Sequence, residues 1–98
     1  MATLAGFEWD AGNSTKNWER HQVTQAEAEE VFFNRPVFLL DAKPTERERR
    51  YNVLGRSNDD RLLSVIFTVR RGLARIISAR PMSRKERNAY DEVPPEAP

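Results

Sequence analysis

"LLSVIFTVRRGLARIISAR", Leu62 to Arg80, decides the fold. Apolar and polar residues alternate on both sides of Arg71-Gly72, which is the period of a strand. Gly72 accepts positive φ without steric cost, so the two runs read as an antiparallel hairpin with a two-residue turn. In that register Leu63, Val65, Phe67, Val69, Ala74 and Ile76 form a core face. Ser64, Ile66, Thr68, Arg70, Arg75 and Ile77 form the opposite face. Continued without interruption, the alternation puts Ser78 on the core side. A slip of one residue would exchange the two faces.

The rest of the fold builds outward from this hairpin. "RYNVLGR" is the strand before it, joined through the polar turn "SNDD". "VFLLD" reads as a further, buried strand, and "AKPTERER" as a charged loop. Upstream, "TQAE" (Thr24 to Glu27) has the spacing of a capping box. The helix it opens turns Ala28, Val31 and Phe32 to one side and Glu29 and Glu30 to solvent, and must stop before Pro36. "FEWD" (Phe7 to Asp10) is a short strand whose Asp10 can cap a helix from Ala11 to about His21, with Trp18 as its core anchor. Downstream, "SRKE" (Ser83 to Glu86) is a second capping box and opens a terminal helix to about Asp91. The order is β-α-α-β-β-β-β-α, an α+β layer with helices on a mainly antiparallel sheet. We expect one domain over residues 1–92 and a disordered proline-rich tail over 93–98.

Composition narrows the function. The chain has 98 residues and no cysteine, which excludes a disulfide framework, a thiolate metal site and a cysteine nucleophile. No leader peptide or membrane-length apolar run is evident, which fits a cytoplasmic protein. Net charge is +1, yet Lys43 to Arg87 carries thirteen basic and five acidic residues while the remainder carries three and ten. Such a bipolar chain suits phosphates or an acidic partner on its basic half, or simply a solvated mixed-charge surface.

Arg80 ends the last strand, and Arg87 lies one turn into the capped helix that follows. A strand end beside a helix start is a cleft edge, and it gathers positive charge that suits an anion. The candidate proton carriers of the chain are few: Glu46, Glu48 and the Asp59-Asp60 pair, which is most simply a polar turn, and His21, Glu86 and Tyr90. The plainer readings of the last three are a helix-end packing residue, a capping residue and a core lid. Clustered acids for a two-metal site are lacking, so no metal or other cofactor is expected.

Taken in order, these segments resemble the BrnT-type toxins of bacterial type II toxin–antitoxin pairs. The likeness runs from "FEWD" through "NWERHQV", "AEAEEVFF" and "RRYNVLGRS" to "RIISARPMSRKERNAYDE", its most specific block. Ala11 stands where the family usually has proline, and Gln22 where it has glycine after the histidine. The resemblance implies a RelE-like fold and a ribonuclease that arrests translation. It also implies a BrnA-type antitoxin with a ribbon-helix-helix domain, DNA being touched only through that partner. It directs attention to Arg70, Arg75, Ser78, Arg80 and Arg87 in the last strands and helix. For a metal-independent attack by the ribose 2′-hydroxyl, Arg80, Ser78, Arg87, Glu86 and His21 are then the catalytic candidates, with Glu86 or His21 as base. The acid is Tyr90 or an arginine, and Arg70, Arg75 and Tyr90 would bind RNA. The alternative is a non-catalytic module that uses the same basic face for RNA or protein.

Overall fold

The computed structural model describes residues 5–10, 16–40 and 49–93. The expected helix start at Ala11, the loop "AKPTERER" and most of the proline-rich tail lie outside them. The elements are β1 (Gly6–Glu8), α1 (Lys16–His21), α2 (Gln25–Glu30), β2 (Val37–Leu40), β3 (Tyr51–Arg56), β4 (Leu62–Arg70), β5 (Leu73–Pro81) and α3 (Arg84–Glu92). Their order is the one expected. They form an α+β structure whose five-stranded sheet runs β1-β5-β4-β3-β2, antiparallel except where β1 lies parallel to β5.

The hairpin turns where the glycine required it to. Arg71 and Gly72 have φ of 55° and 77°, and Arg70 pairs with Leu73. Two consecutive positive φ values match the right-handed twist of the flanking strands, the hairpin geometry glycine favours. From there the register holds through Phe67 and Ile76, and then it shifts: Ile66 pairs with Ser78, so Ile77 is an extra residue in β5. This bulge reverses the alternation beyond it. Ala79 therefore opposes Val65 in the core, while Ser78 and Arg80 move to the other face. The expectation that Ser78 faces the core is overturned, and the physical reason is the single inserted residue.

One face of the sheet carries the main core. Val53, Leu63, Val65, Phe67, Ala74, Ile76 and Ala79 pack there against Val23, Ala28, Val31 and Phe32. Phe67 is its aromatic centre, with Phe32 edge-on at 4.9 Å and Tyr51 stacked at 5.5 Å. Such ring pairs add about 0.5–1.5 kcal/mol each beyond area burial. The Thr24–Glu27 capping box is complete, and it starts α2 at the position that turns Ala28 inward. Where α2 ends, its backbone meets β3 at Gly55. A side chain there would stand 2.7 Å from Val31 O and 2.9 Å from Val31 Cγ1, so only glycine allows the approach.

The opposite face carries a smaller cluster of Leu54, Met82 and Tyr90, with Val37 and Leu62 packed against it. Here α3 covers one end of the sheet. Its Ser83–Glu86 capping box is also complete.

Three packing expectations are corrected. Trp18 is 54% exposed and does not anchor the core; Val23 does, while Trp9 packs against the same cluster. β2 is an edge strand with Phe38 and Leu39 exposed, because β3 pairs it on one side only. Glu29 and Glu30 are not merely solvated: Glu29 Oε2 accepts from the Trp9 indole at 2.7 Å and Glu30 Oε1 from the Asn58 amide at 2.8 Å. No described helix is long and apolar enough to cross a membrane.

Candidate functional site

Two adjacent rows of side chains cross the second face. Register places Val37, Leu54, Ser64 and Arg80 in one row, and Leu39, Asn52, Ile66 and Ser78 in the next. Helix α3 closes over the apolar end of the first row and brings Glu86 down beside its polar end. Arg80 then donates to Glu86 through both guanidinium branches, Nη1 to Oε1 at 2.6 Å and Nη2 to Oε2 at 3.0 Å. The Ser83 backbone amide donates to Oε1 at 2.8 Å, and the Ser64 hydroxyl donates to Oε2 at 3.1 Å. Ser64 Oγ also lies 2.9 Å from the Asn52 amide oxygen.

This network sets the charge of the carboxylate. Burial pushes the Glu86 pKa up, but the Arg80 hydrogen bonds, the Ser83 amide, the Arg80 charge and the Ser64 hydroxyl outweigh it and hold it at about 2. Glu86 is thus a fixed anion near neutral pH and a weak proton acceptor. Its planar, two-pronged partner is locked in one orientation. The Arg80 side chain keeps about a third of its surface open. Ser78 flanks it on the same face, and Arg87 lies exposed one helical position beyond Glu86.

The other candidates go elsewhere. Arg75 pairs with Glu8 at 3.2 Å and Asp10 at 2.7 Å, which ties β1 to β5 and neutralises the guanidinium. It opposes Thr68, four β4 positions from the residue opposing Arg80, or about 13 Å along the strand. Arg70 lies farther still, exposed at the hairpin tip. A single rim joining Arg75, Arg80 and Arg87 is therefore not what the fold builds. Tyr90 is 2% exposed; its hydroxyl donates to Arg35 O at 2.9 Å, and its ring packs on the smaller cluster. That ring is closed to a stacked base. His21 ends α1, two residues before Val23 of the main core. It shares an end of the sheet with Arg80, since Arg61, just before β4, donates to Gln22 O at 3.0 Å. Among the described residues no hydrogen bond or ion pair joins His21 to Arg80 or Glu86.

Sequence reasoning placed Ser64 on a hairpin face suited to phosphate but did not tie it to Glu86, and it did not single out Asn52. The only available signal was Ser64 on the arginine-bearing hairpin face. Its link to Glu86 needs α3 folded back on β4, which no local pattern encodes.

An α+β sheet whose open face presents a clamped arginine beside the half-buried Ser78 hydroxyl is suited to holding a phosphate. A family model for the ribonuclease toxin BrnT of type II toxin–antitoxin systems matches residues 9–86. The chain belongs to that family, whose members are ribonuclease toxins and whose system implies RNA as substrate and an antitoxin as partner. No curated protein matches it.

Proposed function

We propose that this chain is a metal-independent endoribonuclease with a single RelE-like domain, and that Arg80 holds the scissile phosphate. The observation that carries the reading is the bulge at Ile77. It brings Ser78 and Arg80 to one face, where Glu86 aims the guanidinium and leaves part of it open. The ribose 2′-hydroxyl attacks the adjacent phosphorus and the bond to the 5′ oxygen breaks, leaving a 2′,3′-cyclic phosphate. Arg80 and Arg87 stabilise the charge that grows on the phosphoryl oxygens, and Ser78 donates to one of them. The 2′ proton passes to His21 or, less readily because its clamp keeps it a weak acceptor, to Glu86, and the leaving 5′ oxygen takes a proton from water while Arg87 stabilises its charge. Tyr90 has no part in the proton transfer; its hydroxyl is committed to Arg35 O.

In this reading the antitoxin is of the BrnA type, carries the ribbon-helix-helix domain that binds DNA, and inhibits by covering Arg80 and its neighbours. Rim charges steer that encounter, so its affinity falls with added salt.

The test is cleavage by the purified chain. Activity is expected to persist in EDTA, to leave cyclic phosphate ends and to vanish on RNA that is 2′-O-methylated at the cut site. Arg80→Ala is expected to fold, by thermal melt, and to lose cleavage, and Arg80→Lys not to restore it. Cleavage of the methylated substrate rejects the nucleophile. Full activity in folded Arg80→Ala rejects the site, and RNA bound but never cut by the unaltered chain favours a non-catalytic binding module.

A further inference from the structure

A second polar cleft lies beyond Tyr90, one helical turn along α3 from the Glu86 that clamps Arg80. It is a shallow, largely open depression of about 510 Å³ between the end of α2 and the β3–β4 turn, lined by Phe33, Asn34, Arg35, Arg56, Ser57, Asn58 and Asp60. Phe33 at its mouth is 75% exposed, an aromatic face offered to solvent by a residue that directly follows the buried Phe32. Arg35 and Arg56 stand over the Tyr90 ring, 5.7 and 5.8 Å from its centroid, so the buried tyrosine supports both guanidiniums.

Arg56 differs from the chain's clamped arginines. Arg61, Arg75 and Arg80 each meet a carboxylate within 2.6–2.9 Å. Arg56 reaches Asp60 only at 3.7 Å, and its buried Nε has no hydrogen-bond partner among the described residues. A buried donor left unmet costs stability, and the rest of this side chain, 34% exposed, is the part a ligand in the cleft can reach. Backbone strain collects here as well: Arg35 and Asp60, both lining the cleft, have φ of 52° and 63°.

We propose that this cleft is a nucleotide subsite for single-stranded RNA, in which Phe33 stacks a base and Arg35 and Arg56 hold the phosphate beside it. The proposal rests on the ribonuclease reading for its ligand class. An aromatic face, two guanidiniums and neighbouring amide side chains are the parts with which proteins take unpaired bases and their phosphates. Arg56 opposes Leu62 on β4 and Arg80 opposes Ser64 on the other side of that strand. β3 and β5 are thus about 10 Å apart across β4, within reach of neighbouring nucleotides of one strand. RNA leaving Arg80 would cross the exposed side of α3 and enter the cleft.

The experiment is fluorescence-anisotropy binding of a labelled, fully 2′-O-methylated single-stranded oligoribonucleotide, which the proposed chemistry cannot cut. Phe33→Ala, Arg35→Ala and the hairpin-tip control Arg71→Ala are compared with the unaltered chain, each first shown to melt as a folded protein. Phe33→Ala gives up an edge-on contact with Phe7 at 6.2 Å, and Arg35→Ala gives up the guanidinium over Tyr90 but keeps the bond from Tyr90 to the Arg35 carbonyl, so the melts show whether each fold survives. The subsite is supported if Phe33→Ala and Arg35→Ala each weaken binding about tenfold while Arg71→Ala does not, base stacking and a charged contact each being of that order. It is overturned if both bind as the unaltered chain does. It is equally overturned if they keep RNA affinity but lose the co-expressed antitoxin, which would make the cleft a protein-docking site. Cleavage of unmodified RNA is followed in parallel. A protein that cuts nothing yet loses affinity in the two variants sinks the ribonuclease reading and keeps the subsite. A protein that cuts RNA and binds normally in both variants sinks the subsite alone.

Discussion

Glu86 shows how one side chain serves two structures. It completes the capping box of α3 and it clamps Arg80. Its folded pKa of about 2 lies below the ordinary 4.5. The clamp therefore contributes in full above pH 4.5 and is lost as pH falls towards 2. Glu86→Gln removes that dependence. Urea midpoints of the unaltered chain and of Glu86→Gln are expected to differ most at neutral pH and to converge as pH falls through this window. Glu86→Gln is also expected to cut RNA more slowly because Arg80 loses its aim, and His21→Gln reports separately on the other candidate base.

Gln22 makes a different point. It follows α1 with φ of 56°, and its amide donates to Trp18 O at 2.9 Å, so it closes the helix in the left-handed conformation. Glycine at this place carries no side-chain clash, and this chain pays for glutamine. Gln22→Gly is expected to stabilise the fold by about 0.5–1 kcal/mol, after allowing for the greater freedom glycine has when unfolded. A thermal melt measures it directly.

Among the elements, β5 is the one on which function turns. Its first half aligns Ala74 and Ile76 with the core, and its second half must place Ala79 in the core and Arg80 outside. Both cannot hold in a regular strand, and Ile77 resolves the conflict by standing outside the ladder. Deleting Ile77 would remove the bulge and leave Ile76, Ser78, Ala79 and Arg80 alternating regularly against the same β4 partners, with Ala79 still in the core and Arg80 still outside. Since no partner changes, this deletion is expected to leave a folded protein by circular dichroism, whereas Ala79→Arg, which buries an unpaired guanidinium at a cost of several kcal/mol, is expected to leave little. The α2–β3 contact is equally intolerant. Gly55→Ala would push a methyl group against the Val31 carbonyl and is expected to lower stability by about 1–3 kcal/mol, measured as a shift in the urea midpoint.

Across the molecule, the bipolar charge of the chain becomes a set of ties. The basic stretch supplies Arg61 and Arg75, and the acidic N-terminal part supplies Glu27, Glu8 and Asp10 to meet them. Burial raises the Glu27 pKa, but the Thr24 amide and Arg61 outweigh it and bring it below the usual carboxylate range. Acid therefore loosens this tie in the same direction as the Arg80–Glu86 clamp. Arginines that looked like RNA ligands in the sequence are partly consumed in holding the fold, which leaves Arg80, Arg87 and the Arg35–Arg56 pair as the cations to test. RNA affinity is expected to fall steeply with added salt, since phosphate contacts release counterions.

Local chemistry carried much of this layout. Two capping boxes, the Arg71-Gly72 turn and the strand alternation each act over a few residues, so the element order and both helix starts could be read directly. What lay beyond reading was every feature that depends on a distant neighbour. Ser78 and Arg80 share the open face because a core position for Ala79 outweighs regular pairing. Arg75 is withdrawn because β1 docks beside β5, Trp18 is exposed because Val23 takes the core position, and Tyr90 is buried because α3 folds over Leu54. Alternation fixes which residues share a face only until a bulge intervenes. Packing the two sides of the sheet at once is what places that bulge, and no window of sequence contains both sides.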